Sequence, residues 1–533
     1  MGQPDNASSS PTPPPSGDIA PILVIGAGPH ALALVLALLE EDASSEFTER
    51  DTIHMGFWRQ KLGRKKNQKG PRNQSKNLPT SSSSSSSCLR RQIRVLDPSG
   101  TWCSTWNGNF ATFGISHLRS PVNVHLDPLR PEGLRDYATS TNQLKSQVSE
   151  PPPSIRFSRR NRAFTTNTSM FSENDRQFLG CPSRELFAEF QEHLIRQYGI
   201  ASMVEKAAAV AIEPLDTSAS PLFKVTCAGG NVIVAKHVVV AIGTQNIPRI
   251  PAWATPLWQQ TPTNLIVHSS DAALHAVAYA KRMRHKRVLI VGGGLTSVHL
   301  AREVVSTWGA KHVTLVTRKP TLLVQPYDVP LEWISPLLRA KMLADFFDED
   351  TLELKVQRIR DARRGGSVTR SALAQLHAVA TPHNYHHRGN TVVTNVERID
   401  ACDDDTHLRV TLSDGSSAEE IVVDHIILAT GSDIDVTKER LFDGMRHLGA
   451  PPVGGLPALD DELRWESDLN LFVMGGYAAL QLGPTAGNLM GARSGANKLA
   501  ELILEGVATK AAKTRHHHLR ALCGKENLYD FLT

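Results

Sequence analysis

Two glycine-rich turns hold the residues whose types and spacing could do chemistry. The first is Gly26-Ala-Gly-Pro-His-Ala31, in which Gly26, Gly28 and Ala31 fall in the G-x-G-x-x-G/A pattern, with Pro29 and His30 inside it. The first glycine permits a tight turn. The second lets backbone amides approach a pyrophosphate, and the small third residue lets a helix pack closely on a strand. An anion placed there sits on the helix N-terminus, where unpaired N–H groups and the helix dipole favour it. The second turn, Gly292-Gly-Gly294, runs through Leu295 and Thr296 to Ser297 in the small-residue position, with the same mechanics. Either turn alone could be a strand-to-helix connection without a ligand; two in one chain are far more specific.

A dinucleotide fold also wants an acid at the end of its next strand, roughly 20 residues on, to bond a ribose hydroxyl. After the first turn no acid stands at a strand end at that distance. If the stretch between is an insertion, the strand is Ile93-Arg-Val-Leu-Asp97 and Asp97 is the acid. After the second turn, Val313-Thr-Leu-Val-Thr-Arg-Lys319 places Thr317 where an acid would select NAD, with Arg318 and Lys319 following at once. A cation there can pair with the 2′-phosphate of NADP, so NADPH is expected over NADH. A basic loop at a strand end is the plain alternative.

These residues need strands and helices to position them. Pro21–Ile25, Gln92–Asp97, Lys236–Thr244, Arg287–Val291, His312–Val316, His425–Gly431 and Leu471–Gly476 read as apolar strands, several ending in a Gly turn. A helix is expected from the first turn to about Glu41, and a long closing helix over 488–505. Strands alternating with helices imply parallel sheets wound on both faces. The expected fold is therefore α/β, with two Rossmann-like dinucleotide-binding domains, the second inserted into the first. Residues 18–248 and 425–515 form one domain and 249–424 the other. Residues 1–17, Pro- and Ser-rich, are expected to be disordered, and 516–533 form a tail. The stretch of about 59–91, with the serine run Ser81–Ser87, reads as a low-complexity insertion, and 139–162 as a loose segment.

Composition narrows the class. Hydrophobic residues make up 41% and charged residues 21%, ordinary for a soluble globular protein. No apolar run reaches the ~18 residues of a membrane span. The N-terminus lacks the basic start and apolar core of a secretion signal, so a cytoplasmic protein is expected. Between Arg59 and Arg94 stand eleven Lys or Arg and no acid. The net charge of +5 therefore belongs to one segment, and no folded nucleic-acid-binding face is expected. That segment reads as a solvated insertion, with nuclear localisation as the alternative. The six cysteines (Cys88, Cys103, Cys181, Cys227, Cys402, Cys523) have no C-x-x-C or metal-ligand spacing, which argues against a zinc site or a redox pair. His383, His386 and His387 lie in a polar stretch expected to be a solvated loop, and His516–His518 in a basic tail. No G-x-S-x-G is present.

Five segments resemble the class B flavin monooxygenases, within them the lysine/ornithine N-hydroxylase-like branch. Gly26–Leu32 is similar to the flavin motif G-x-G-P-x-N-L, with Ala31 in place of Asn. Val240–Pro251 resembles the crossover strand with its trailing prolines. His268-Ser-Ser-Asp271 resembles the H-S-S-x-Y linker, with Ala272 in place of Tyr. Ala429-Thr-Gly431 is similar to the ATG turn, and Leu482–Arg493, with Gly483, Pro484 and Thr485, to the flavin-side closing helix. The resemblance implies FAD on the first fold and NADPH on the second. It also implies O₂ as co-substrate and oxygen transfer through a flavin C4a-peroxide to an amine nitrogen or sulfur of a small molecule. Cofactor contacts are then expected from Trp102 and Gly431 as well. Where the branch carries Lys in an S-F-L-K-D-like segment, this chain has Ser116-His-Leu-Arg-Ser-Pro121, so Arg119 is placed against substrate or flavin phosphate. Asn123, His125, Asp127, Tyr327 and Trp333 are either pocket walls or packing residues. A flavin-dependent NADPH oxidase or reductase, and a non-enzymatic nucleotide sensor, are the alternatives. No residue is assigned to catalysis, because the flavin carries the difficult chemistry.

Overall fold

The computed structural model describes residues 19–40 and 89–507, except positions 131, 152–156, 159–170, 173–175, 177, 216–220, 245–246, 260–264 and 401–405. The expectations for 1–17, 516–533 and almost all of 59–91 lie outside the described residues. Two mainly parallel sheets carry the two turns.

The first sheet contains β1 (Ala20–Ile25), followed by helix α1 (Pro29–Leu39), then β2 (Ile93–Asp97), β3 (Val204–Lys206), β4 (Ala209–Leu215), β5 (Leu222–Cys227) and β6 (Val232–Val240). Its order is β3-β2-β1-β6-β5-β4, and Leu471–Val473 joins β6 in parallel beyond the end of β5. β1, β2, β3 and β6 are parallel; β4 and β5 form an antiparallel flap on the far side. A strand covered on both faces reads as an unbroken apolar run, and Ile22, Leu23 and Val24 are fully buried in β1. Helix α1 is apolar on every side, as befits a helix with no solvent face. It packs against the long C-terminal helix.

The second sheet is parallel throughout. It contains β7 (Ile266–His268), β8 (Arg287–Val291) followed by helix α2 (Leu295–Ser306), and β9 (His312–Val316). Helices α3 (Leu352–Arg363) and α4 (Arg370–Val379) lead to β10 (Tyr385–Arg388). After a three-stranded antiparallel meander, β11 (Val392–Asp400), β12 (Thr406–Ser413) and β13 (Ala418–Val423), the chain returns as β14 (His425–Leu428). The order is β10-β9-β8-β14-β7.

Two expectations need correcting. The segment from His425 was assigned to the first domain, but β14 pairs with β8 and β7, so the return to the first sheet comes later. Its apolar run suits either sheet, and burial between two second-sheet strands decides the matter. His386 and His387, read as loop, lie on the edge strand β10 beside β9. Only one side of an edge strand must be covered, so its sequence can stay polar. Within the segment read as loose, Leu144–Gln147 is a short helix.

Two connections link the sheets and run side by side. Arg249 N–H donates to the Gly431 carbonyl, and Asp433 N–H to that of Ile247. His268 pins them further: its Nε2 is 3.0 Å from the Gly431 carbonyl oxygen, and its Nδ1 is 3.1 Å from the Ser270 N–H. Those partners fix the neutral Nε2–H tautomer, and burial pushes the imidazole pKa down accordingly.

The C-terminal helix α5 (Leu489–Val507) closes the described chain. Among the described residues no helix is long and apolar enough to cross a membrane.

Candidate functional site

At the first turn, Gly26 has φ +101°, and a Cβ there would lie 2.6 Å from the Ala241 carbonyl oxygen. Backbone conformation and close approach both require glycine. Gly28 is the N-cap of α1, extended, with no side-chain cap bond and no atom within 4 Å of where its Cβ would stand. Pro29 takes the first helical position, where a missing N–H costs nothing. Ala31 is fully buried under the turn. Asp97, at the end of β2, accepts from Ala27 N–H at 3.0 Å and from Ser99 N–H and Oγ at 2.9 and 2.6 Å. The carboxylate is thus fixed beside the turn despite its distance in sequence.

His30 ties this turn to the far end of the chain. Its Nε2 is 3.0 Å from the Ala486 carbonyl, and its ring would contact any side chain at Gly475. Burial lowers its pKa, with the Ala486 bond opposing in part. The chain at Ala486, which follows Thr485, is thereby held at the first turn, whereas a side chain at Gly483 would face Leu343 and Trp333. The Thr485 hydroxyl and the Tyr477 hydroxyl are buried with no partner among the described residues.

The second turn repeats the arrangement. Gly292 has φ +149°, and its Cβ would meet the Ala429 carbonyl oxygen at 2.2 Å. Gly294 is the N-cap of α2, extended, uncapped and open. Leu295 and Thr296 form its first turn, and Ser297 is buried with its Oγ donating to the Gly294 carbonyl at 2.7 Å. Beyond β9, Thr317 is buried against Lys319 O and His387 Nε2, while Arg318 and Lys319 are exposed. Gly431 lies in the linker, where its carbonyl takes the His268 and Arg249 bonds.

Other assigned residues are engaged by the protein itself. Arg119 reaches the loops after β9 and α3: Nη1 donates to Ser367 O at 3.2 Å, and Nη2 to Gln325 O, Tyr327 O and Ser367 Oγ. Burial lowers its pKa, and Asp328 acts against that. It serves as a strut between segments, since four protein acceptors occupy its terminal nitrogens. Trp102 is buried, its ring N–H given to Ile200 O at 2.9 Å. His125 and Asp127 are a packed ring and a turn acceptor, the latter bonding Leu129 N–H at 2.8 Å. Tyr327 and Trp333 are core residues, with the Tyr327 hydroxyl on Leu179 O. Asn123 keeps a buried Oδ1 without a partner among the described residues.

The sequence reading missed the loop of residues 363–367. Arg363 lies 3.6 Å from Asp328, which Asn488 Nδ2 also approaches at 3.3 Å; Lys319 Nζ donates to Arg364 O at 3.4 Å; Gly366 lies against Gly294. The clue available was Arg363-Arg364-Gly365-Gly366 itself, a basic glycine pair after a helix. His299 on α2 was also missed. It is 5% exposed, its Nδ1 has no partner among the described residues, and burial beside Arg302 and Arg119 pushes its pKa down to about 4. Among the described residues no three His, Cys, Asp or Glu are grouped to hold a metal.

Two open, uncapped helix starts fit two phosphate-bearing nucleotides. Residues 181–433 match the family model described as L-lysine 6-monooxygenase/L-ornithine 5-monooxygenase. The fold is similar to that of the Kutzneria ornithine N-hydroxylase, solved with reduced FAD, NADP⁺ and L-ornithine (TM-score 0.61, 15% identity, 92% of this chain and 100% of that one). It is likewise similar to the FAD-bound cadaverine monooxygenase of Erwinia amylovora (0.59, 12%, 92% and 95%) and to the L-lysine 6-monooxygenase of Pseudomonas syringae (0.57, 17%, 92% and 100%). At these identities the structural likeness is one of fold. No curated protein matches the chain by sequence.

Proposed function

We propose that this chain, a relative of the lysine/ornithine N-hydroxylase-like flavin monooxygenases, uses NADPH and O₂ to hydroxylate an amine nitrogen of a small molecule, with FAD as its redox cofactor. One observation carries the reading: two mainly parallel sheets in one chain each end a parallel strand in a glycine turn with an open helix N-terminus. The match of residues 181–433 to the amine-hydroxylating family supports it further.

In this reading the first sheet is the FAD-binding fold and the second an inserted NADPH-binding fold. FAD would be held by Gly26, Gly28, Pro29 and Ala31 at its pyrophosphate and by Asp97 at a ribose. His30 and Gly483–Thr485 close the flavin end, with Trp102 behind the ribose-binding strand. NADPH would be held by Gly292, Gly294 and Leu295–Ser297, with Arg318 and Lys319 at the 2′-phosphate and Gly431 at the hinge. FAD supplies hydride acceptance and oxygen activation when bound. The protein holds, orients and excludes water. His30, neutral through burial, presents an N–H to Ala486 and keeps the closing segment in place without adding charge beside the flavin. Arg119 holds the loops of the second sheet against residues 116–121 of the first.

The test is anaerobic mixing of the purified protein with NADPH or NADH, followed through the flavin's visible absorbance. Rapid bleaching by NADPH is expected. A colourless protein, or a flavin that stays oxidised, would refute the reading and favour a nucleotide sensor. With air and candidate amines, hydroxylated product is expected; peroxide equal to NADPH consumed, whatever amine is present, would mark an oxidase instead.

A further inference from the structure

We propose that Arg364 is a second determinant of NADPH preference, completing with Arg318 and Lys319 a three-cation pocket for the nucleotide's 2′-phosphate. The proposal rests on the reading of the second sheet as the NADPH-binding fold. The spacing of a dinucleotide-binding fold points to residues just after β9; Arg364 comes from a loop more than forty residues later in the chain, between α3 and α4.

Several contacts bring that loop to the right place. Lys319 Nζ donates to the Arg364 carbonyl at 3.4 Å, so the Arg364 backbone stands within one arginine length of the Lys319 ammonium. The next residues pass the glycine turn, where a Cβ on Gly366 would lie 3.5 Å from the Gly294 Cα. The loop is then stitched to the segment following Lys319. Val368 N–H donates to Leu323 O at 2.8 Å, Gln325 N–H to Val368 O at 2.9 Å, and Val324 and Val368 form a parallel bridge. Arg119 bonds Ser367 from the other side. The loop is therefore held between the nucleotide turn and the end of β9.

Charge and exposure complete the case. Arg318, Lys319 and Arg364 are all exposed, and none has a carboxylate partner among the described residues. Arg318 and Lys319 at the end of β9, and Arg364 in the loop that Lys319 touches, put three unneutralised cations on adjoining segments, and a dianion is the natural occupant. Arg364 also holds a left-handed backbone conformation, φ +53°, at the C-cap of α3, a position that ordinarily takes glycine. Gly365 follows immediately, so a glycine was available one step away. A guanidinium, always charged and able to form paired bonds, suits phosphate better than the compact ammonium of lysine.

The test uses the full chain and equilibrium binding of NADP⁺ and NAD⁺ to wild type, R364Q, R364K, R318Q and the surface control R370Q. Wild type should prefer NADP⁺. R364Q should lose about tenfold or more of that preference while binding NAD⁺ unchanged, as expected for one charge-assisted bond. R364K should keep most of it, and R370Q all of it. Unchanged NAD⁺ binding also reports that R364Q is folded. Selectivity lost in R318Q but intact in R364Q would overturn the role of Arg364 and leave the NADPH reading standing. A wild type without preference would overturn both.

Discussion

A methyl group at Gly26 would come within 2.6 Å of the Ala241 carbonyl oxygen and would have to adopt φ +101°, whereas at Gly28 it would meet nothing within 4 Å. The two glycines of one motif therefore answer to different demands. Gly26 serves the fold: the turn must pass close under β6 so that α1 starts where β1 ends. Gly28 serves the ligand, because the space above it is what an anion would fill. Substitution should separate them. Gly26→Ala is expected to destabilise the protein itself by roughly 1–3 kcal/mol from strain and close contact. Gly28→Ala should leave the flavin-free protein within about 1 kcal/mol of wild type, since only an N-cap preference is lost, yet should purify with little flavin. Urea unfolding of both apoproteins, with flavin content measured on the purified material, checks this. Equal loss of stability in the two variants would refute the division.

At the scale of elements, the sequence made the buried parallel strands visible, because a strand covered on both faces must be apolar and must end at a turn. β1, β2, β8 and β9 were readable for that reason. Asp97 was readable only by supposing an insertion, and the register of Ile22 with Ile93 and of Val24 with Val95 supports the supposition. What stayed hidden was whatever depends on contacts far apart in sequence. β10 is polar because an edge strand needs little burial, and the His425–Leu428 run could not say which sheet it joins. Arg119 was singled out because it stands where the N-hydroxylase-like branch carries Lys; its protein partners, Gln325, Tyr327 and Ser367, lie more than two hundred positions away and were not legible. The insertion gives a test at this scale. Removing residues 59–88, while keeping Leu89, which packs on the core, shortens a connection between neighbouring strands. Closure entropy varies slowly with loop length, so stability should shift by on the order of 1 kcal/mol. Flavin content should be unchanged. Loss of flavin from a folded deletion variant would mean that the segment belongs to the site.

At the scale of the whole molecule, burial sets a common sign on the histidines. His30, His117, His193, His237, His268, His275, His299 and His387 all have pKa values below the ordinary 6.5, chiefly through desolvation. Each remains neutral in the folded chain at a pH where the unfolded chain has begun to bind its proton. Between those two pKa values the unfolded state holds more protons, so stability falls as pH falls. These contributions are intact above pH 6.5 and are lost progressively below it. Because the signs agree, they add rather than cancel. His299 should contribute most: its pKa of about 4 opens a window from 6.5 downward worth roughly 3 kcal/mol at its acid end. A protonated His299 would lie buried next to Arg302 and Arg119, with its Nδ1 facing no acceptor among the described residues. The expected result is a marked fall in the denaturation midpoint of the wild type between pH 7 and pH 5, followed by tryptophan fluorescence. His299→Gln, which keeps a polar side chain but cannot take a proton, should show a visibly shallower fall while matching the wild type more closely at pH 5 than at pH 7. If both proteins lose the same stability over that interval, His299 is not the group that couples acid to unfolding. The sensitivity would then lie with the other imidazoles that burial holds below 6.5.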